Sequence, residues 1–169
     1  MSSYVAVIGP GQDATEQDLA DAGRAGALLA AAGVVVVTGG LGGVMAAAAS
    51  GVRDAGGTSI GLLPSSQRAD GDPAHSLLLP TGLGELRNAL VVRTADVVLA
   101  VGGSWGTLSE IALAVRGDTP VVAVRSWDLP DGAVQRAEDV EAAVTTVIRL
   151  LGADAPVPDT TTGPLPCCY

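Results

Sequence analysis

The sequence contains no lysine; all nine of its basic residues are arginine. Without lysine there is no Schiff-base residue for pyridoxal phosphate and no phosphate-loop lysine of the GxxxxGK[ST] type. Histidine occurs once, at His75, and cysteine only as the adjacent pair Cys167 and Cys168. That supply assembles neither a His/Cys metal cluster nor a Ser-His-Asp triad with a choice of histidine, and adjacent cysteines cannot staple a core. Aromatic residues amount to 2%, with no phenylalanine, so the core has to be built from Val, Leu, Ile and Ala. Apolar runs such as "AGVVVV" are too short to span a bilayer. A basic field is also missing. The net charge is −9, from 18 acidic and 9 basic residues, which argues against a nucleic-acid backbone or an anionic membrane as the main partner. "MSSYVAVIG" enters a strand pattern without a basic n-region, and a cytoplasmic protein is the expectation.

What is present is an alternation of short apolar runs and helical periodicities over 169 residues. The pattern predicts a single α/β domain with a three-layer, Rossmann-like fold and a mainly parallel sheet. Strands are expected at 4–8, 34–37, 58–63, 77–79, 97–101 and 120–124, with no polar alternation because helices cover both faces of the sheet. Thr15 and Asp18 resemble a capping box opening a helix with Leu19, Ala22, Gly26 and Leu29 on one face. Further helices are expected at about 44–55 and 84–94, after the glycines at 102–106, and at about 136–151. The helix after those glycines would turn Leu108, Ile111, Ala112 and Val115 to the sheet. The domain thus spans 1–151. The Pro-, Thr- and Gly-rich stretch 152–169 reads as a flexible tail, disordered beyond about residue 155.

Two glycine loops, "TGGLGGVM" (38–45) and "GGSWGTLSE" (102–110), each follow a buried strand and open a helix. In an open parallel sheet both fall at the carboxyl edge, where ligands bind. Glycines there let backbone N–H groups approach an anion, and the helix N-terminus behind them favours negative charge. A phosphate between Gly39–Gly43 and Gly103–Thr107 is the expectation, with Ser104 and Thr107 as hydroxyl donors. A third stretch, "GPGQDA" (9–14), approximates the dinucleotide fingerprint, but the second strand ends in Thr38, Gly39 and Gly40 where an acidic residue would be needed. Four polar residues could complete a site. Arg87 and Asn88 open one helix, Arg93 lies farther along it, and Glu110 follows Thr107 by three residues and faces back toward the loop. His75, in the polar loop "SSQRADGDPAHS", reads as a solvated loop residue.

On these residues the chain resembles the LOG family of cytokinin-activating phosphoribohydrolases, often labelled "lysine decarboxylase-like", which also includes molybdenum-cofactor carrier proteins. The family motif PGGxGTxxE is similar to Gly102–Glu110, and GGGxxGLMG to Thr38–Ala46. The family's Arg-Lys pair is similar to Arg87-Asn88. Three departures, Gly102 for proline, Ser104 for glycine and Asn88 for lysine, bring the chain nearer the short carrier-protein branch. The resemblance implies Arg87 and Glu110 as catalytic residues. It implies Gly39, Gly40, Gly43, Met45, Asn88, Gly103, Ser104, Gly106 and Thr107 as phosphate or nucleotide contacts. The implied activity is hydrolysis of the N-glycosidic bond of a nucleoside 5′-monophosphate to base and ribose 5-phosphate. The alternative is a non-catalytic carrier of a nucleotide or of molybdenum cofactor, a pterin phosphate. Neither requires a further cofactor or metal, and the resemblance implies a homodimer or higher homo-oligomer. The decarboxylase label fails on chemistry, since no lysine exists to hold pyridoxal phosphate.

Overall fold

Valine recurs in the central strands because branched side chains pack well on a pleated surface covered from both sides. The computed structural model describes residues 3–152; the rest of the expected tail, with Cys167 and Cys168, lies outside the described residues. Seven strands, β1 (Tyr4–Ile8), β2 (Val35–Thr38), β3 (Ser59–Leu63), β4 (Leu77–Pro80), β5 (Val97–Val101), β6 (Val121–Val124) and β7 (Gln135–Ala137), form one sheet. Its order is β4-β3-β2-β1-β5-β6-β7, and every neighbouring pair is parallel. Five helices cover it: α1 (Glu16–Ala31), α2 (Val44–Asp54), α3 (Arg87–Arg93), α4 (Trp105–Arg116) and α5 (Val140–Gly152). This is a single Rossmann-like α/β domain.

The period-2 alternation of the strands sorts the core into two layers. Val5, Val7, Val97, Leu99 and Val101 face α1, α2 and α5, where they meet Ala22, Leu29, Val44, Val52, Val144 and Val147. Ala6, Ile8, Val98 and Ala100 face the other way, onto Val91 and Val92 of α3 and Ile111 and Ala114 of α4. Strand order reverses between β1 and β5, so the loops after β1, β2 and β5 gather at the switch point of the carboxyl edge.

The capping box forms as expected. Thr15 Oγ1 accepts from the Asp18 N–H, and Asp18 accepts from both the amide and the hydroxyl of Thr15. Other expectations are corrected. Leu19 is exposed rather than core, because the buried stripe of α1 runs through Asp18, Ala22, Ala25, Gly26 and Leu29. In α4 the face turned inward is Thr107, Glu110, Ile111 and Ala114, while Ala112 and Val115 point out. The segment 84–94 begins with a 3-10 turn, Gly84–Leu86, before α3. The expected helix at 136–151 is replaced at its start by the short edge strand β7, and α5 begins at Val140.

Candidate ligand-binding site

The first loop is shaped by its own backbone. Gly40 and Gly43 have positive φ, +78° and +65°. A side chain on Gly43 would collide with the carbonyls of Pro10 and Gly11, and Val44 N–H donates to Pro10 O at 3.0 Å. The glycine stretch after β1 therefore buttresses the first loop. Gly39 lies beneath the Arg87 guanidinium and the Met45 sulfur, and a Cβ there would collide with both.

The second loop starts at Gly102, with φ +68°, whose Cβ would lie 2.7 Å from an Asp18 carboxylate oxygen. Arg125, at the end of β6, binds both Asp18 (2.9 Å) and Asp21, fastening α1 beneath this loop. Burial alone would raise the Asp18 pKa, but the Thr15 hydroxyl and amide, with Arg125, hold it below its usual value. Gly103 packs on Trp127, whose Nε1–H donates to Ser104 O at 3.0 Å. Ser104 caps α4: its Oγ accepts from Thr107 N–H at 3.2 Å and lies 3.0 Å from Thr107 Oγ1. That bond occupies the Ser104 hydroxyl in helix capping, a purely local use of the residue.

Two glycines have no such structural reason. Gly42 has open space where a Cβ would stand, and at Gly106 the nearest atom would be Ser104 Oγ at an ordinary 3.7 Å. Neither has positive φ. Gly42 lies in the loop before the N-cap of α2 and Gly106 in the first turn of α4. A glycine with room for a side chain leaves its backbone open to approach from outside the chain.

Arg87 and Glu110 are brought to this edge from the neighbouring helices α3 and α4, and both are buried, at 6% and 7% exposure. Arg87 Nε is buried without a hydrogen-bond partner. Among the described residues, Arg87 takes part in none of the ion pairs within 4.0 Å. The two groups nevertheless feel each other. Burial pushes the Glu110 carboxyl up to about 7, with the Arg87 charge opposing part of that rise. Burial likewise lowers the Arg87 pKa against the field of Glu110. A buried cation and a buried acid whose pKa is raised, with no ion pair between them within 4.0 Å, mark this edge as a candidate binding site.

The remaining expected residues sort clearly. Met45 lies over Gly39. Asn88 is half-buried and faces, with Leu86, Trp105 and Gly106, a groove of about 940 Å³ between α3 and α4. Arg93 is exposed at the far end of α3, away from the loops. His75, expected in solvent, is buried at 7% exposure. It bonds to Thr38 at the start of the first loop, because its loop folds back across β2 and β3. The composition of that loop pointed outward, and only its sequence distance from Thr38 concealed the contact. Asp18 and Arg125 were likewise invisible as partners, being 107 residues apart.

Residues 2–151 match the model of the SLOG cluster4 family, and the chain belongs to that family. The solved molybdenum cofactor binding protein of the phototrophic bacterium Rippkaea orientalis is similar, with TM-score 0.85 and 35% identity over 89% of this chain and 98% of that one. The molybdenum cofactor carrier protein of Chlamydomonas reinhardtii is similar too, with TM-score 0.83 and 34% identity over 90% of this chain and all of its own. An uncharacterised protein of Archaeoglobus fulgidus is 37% identical over 121 residues, covering 72% of this chain and 79% of that protein. The LOG-like resemblance, with its carrier branch, is thus borne out. No helix among the described residues is long and apolar enough to cross a membrane.

Proposed function

We propose that the two glycine loops at the carboxyl edge of the sheet bind the phosphate of a small nucleotide-like or pterin-phosphate molecule, and that the protein holds this ligand as a carrier. The observation that carries the reading is Arg87: buried against Gly39, with Nε unpartnered, it is a cation in need of an anion at the loop. Gly42 and Gly106 leave their backbones approachable on either side, and the α4 N-terminus adds favourable partial charge. Similarity to two proteins described as molybdenum cofactor binding or carrier proteins supports a pterin phosphate as the cargo. Native mass spectrometry of the purified protein, with ribose 5-phosphate, AMP and molybdenum cofactor offered in turn, tests the reading. Failure of all three to bind would end it.

A second reading, hydrolysis of a nucleoside 5′-monophosphate, is favoured by one observation. Glu110, held near neutrality in its pKa beside Arg87, is tuned for acid-base chemistry at physiological pH. Incubation with nucleoside monophosphates and assay for free base separates the two readings. Either activity fits a homo-oligomer. Leu86 in the turn before α3, at 76%, Leu90 of α3 and Leu113 of α4 are exposed, and a second copy would cover them. Light scattering on Leu113→Glu beside the parent protein tests that assembly.

A further inference from the structure

The single histidine closes a ring of hydrogen bonds around the first glycine loop. His75 Nδ1 lies 3.1 Å from Asp72 O, and a carbonyl can only accept, so Nδ1 carries the proton. Nε2 of the neutral ring is then an acceptor, and Thr38 Oγ1–H, 2.6 Å away, donates to it. Thr38 Oγ1 in turn accepts from Gly40 N–H at 3.0 Å. Asp72 N–H donates to Gly40 O at 2.9 Å, which returns the chain to its start. Gly40, Thr38, His75 and Asp72 thus each donate to the next around a closed circuit. Both backbone groups of Gly40 are held, which fixes the positive-φ turn from which Leu41, Gly42 and Gly43 proceed. The ring is accommodated by Gly61 of β3, where a Cβ would lie 3.1 Å from His75 Cδ2.

We infer that His75 is a positioning residue for the phosphate-binding loop, and that protonation of its Nε2 releases that loop; the inference rests on the phosphate reading of the site. A proton on Nε2 turns the ring into a donor on both sides. Thr38 would then have to accept from both Gly40 and His75, leaving its own proton without the acceptor it has now. The circuit would lose its single direction. β2 and β3, on which the ring packs, contain no charged residue. Asp72 in its own loop favours the charged ring, and desolvation outweighs it, so the ring is held below its ordinary 6.5. Arg87, against Gly39, is a further charge at this loop.

The two possible couplings between ligand and ring have opposite signs. A dianion acting only through its field would stabilise the imidazolium and raise the His75 titration midpoint. A dianion that needs the ordered circuit stabilises the neutral ring and lowers it. The experiment follows the His75 Cε1–H resonance by NMR from pH 4.5 to 8, with and without saturating sulfate, which stays dianionic throughout. Because there is one histidine, the assignment is unambiguous. We expect the midpoint to fall by at least about half a pH unit, a roughly threefold preference of the anion for the neutral ring. Thr38→Ser, which keeps the hydroxyl, should retain that fall. Thr38→Val should abolish it and weaken ribose 5-phosphate binding at pH 7.5 at least about tenfold. A midpoint that rises or stays put while sulfate binds overturns the inference and leaves the phosphate reading intact. If neither sulfate nor ribose 5-phosphate binds the parent protein at pH 7.5, the phosphate reading falls and this inference with it.

Discussion

The Arg87 guanidinium occupies the space that a side chain on Gly39 would fill. One residue opens α3 and the other directly follows β2, so the contact ties α3 to the first glycine loop at the carboxyl edge. The glycine leaves room for the arginine, and on the phosphate reading the arginine, with Nε unpartnered, meets the anion. Arg87→Ala should weaken ribose 5-phosphate binding at least about tenfold, the loss expected for a charge-assisted contact. Calorimetry at pH 7.5 checks it. Arg87→Lys should recover only part of that loss, because an ammonium on a thinner stem lacks the planar fork.

Gly106 offers a sharper separation of stability from binding. It lies in the first turn of α4 with room for a methyl group. Gly106→Ala should raise the unfolding free energy, by up to about 1 kcal/mol from helix propensity. On the phosphate reading the same methyl group would stand where the phosphate approaches the backbone, so ligand affinity should fall, and Gly106→Val should abolish it. Denaturant melts and calorimetry on the two variants check both halves. An alanine variant that is more stable and binds as well as the parent would remove Gly106 from the site.

The parallel sheet and the two loops were legible in the sequence because each is local: an unbroken apolar run, then glycines, then a helix. What was illegible is what depends on distant partners. Asp18 reads as a helix cap and is one, yet its other role is to meet Arg125 beneath Gly102. Glu110 could be placed near the loop by spacing, but its raised pKa depends on a burial that spacing does not show. The inward face of α4 was misjudged because hydropathy favoured Leu108 and Val115, while the fold buries Thr107 and Glu110 instead. Polar residues on a buried stripe run against the pattern that sequence reading relies on, and functional sites are where that conflict is expected.

Glu110 should also leave a mark on stability. Its folded pKa of about 7 lies above its ordinary 4.5, so between those values the folded protein binds more protons than the unfolded chain. Stability therefore falls as pH rises from 4.5 to 7, by on the order of 3 kcal/mol from this group. His75 acts oppositely. Its folded pKa lies below 6.5, so below 6.5 the unfolded chain binds more protons and stability falls with acid. Glu110→Gln should remove the loss toward neutral pH, make the protein more stable than the parent at pH 8, and leave the His75 slope below pH 6.5. Urea melts across pH 5 to 8 show whether the two slopes separate.

The same variant decides between holding a ligand and cleaving it. Breaking an N-glycosidic bond develops positive charge at the ribose, and an ionised carboxylate fixed beside that carbon stabilises it more in the transition state than in the ground state. Glu110 is the buried carboxyl near Arg87 that could do this, and it would also orient the attacking water while Arg87 holds the phosphate. If the protein hydrolyses a nucleoside monophosphate, Glu110→Gln and Arg87→Ala should each slow base release at least about a hundredfold. Glu110→Gln should still bind the nucleotide nearly as well as the parent, since both glycine loops remain. The parent rate should rise with pH through about 7 as Glu110 ionises. Chromatographic assay of free base from AMP, GMP, CMP and UMP supplies the measurement. A parent protein that binds these nucleotides and releases no base from any of them has a Glu110 that tunes the pocket's charge without chemistry, and the carrier reading stands alone.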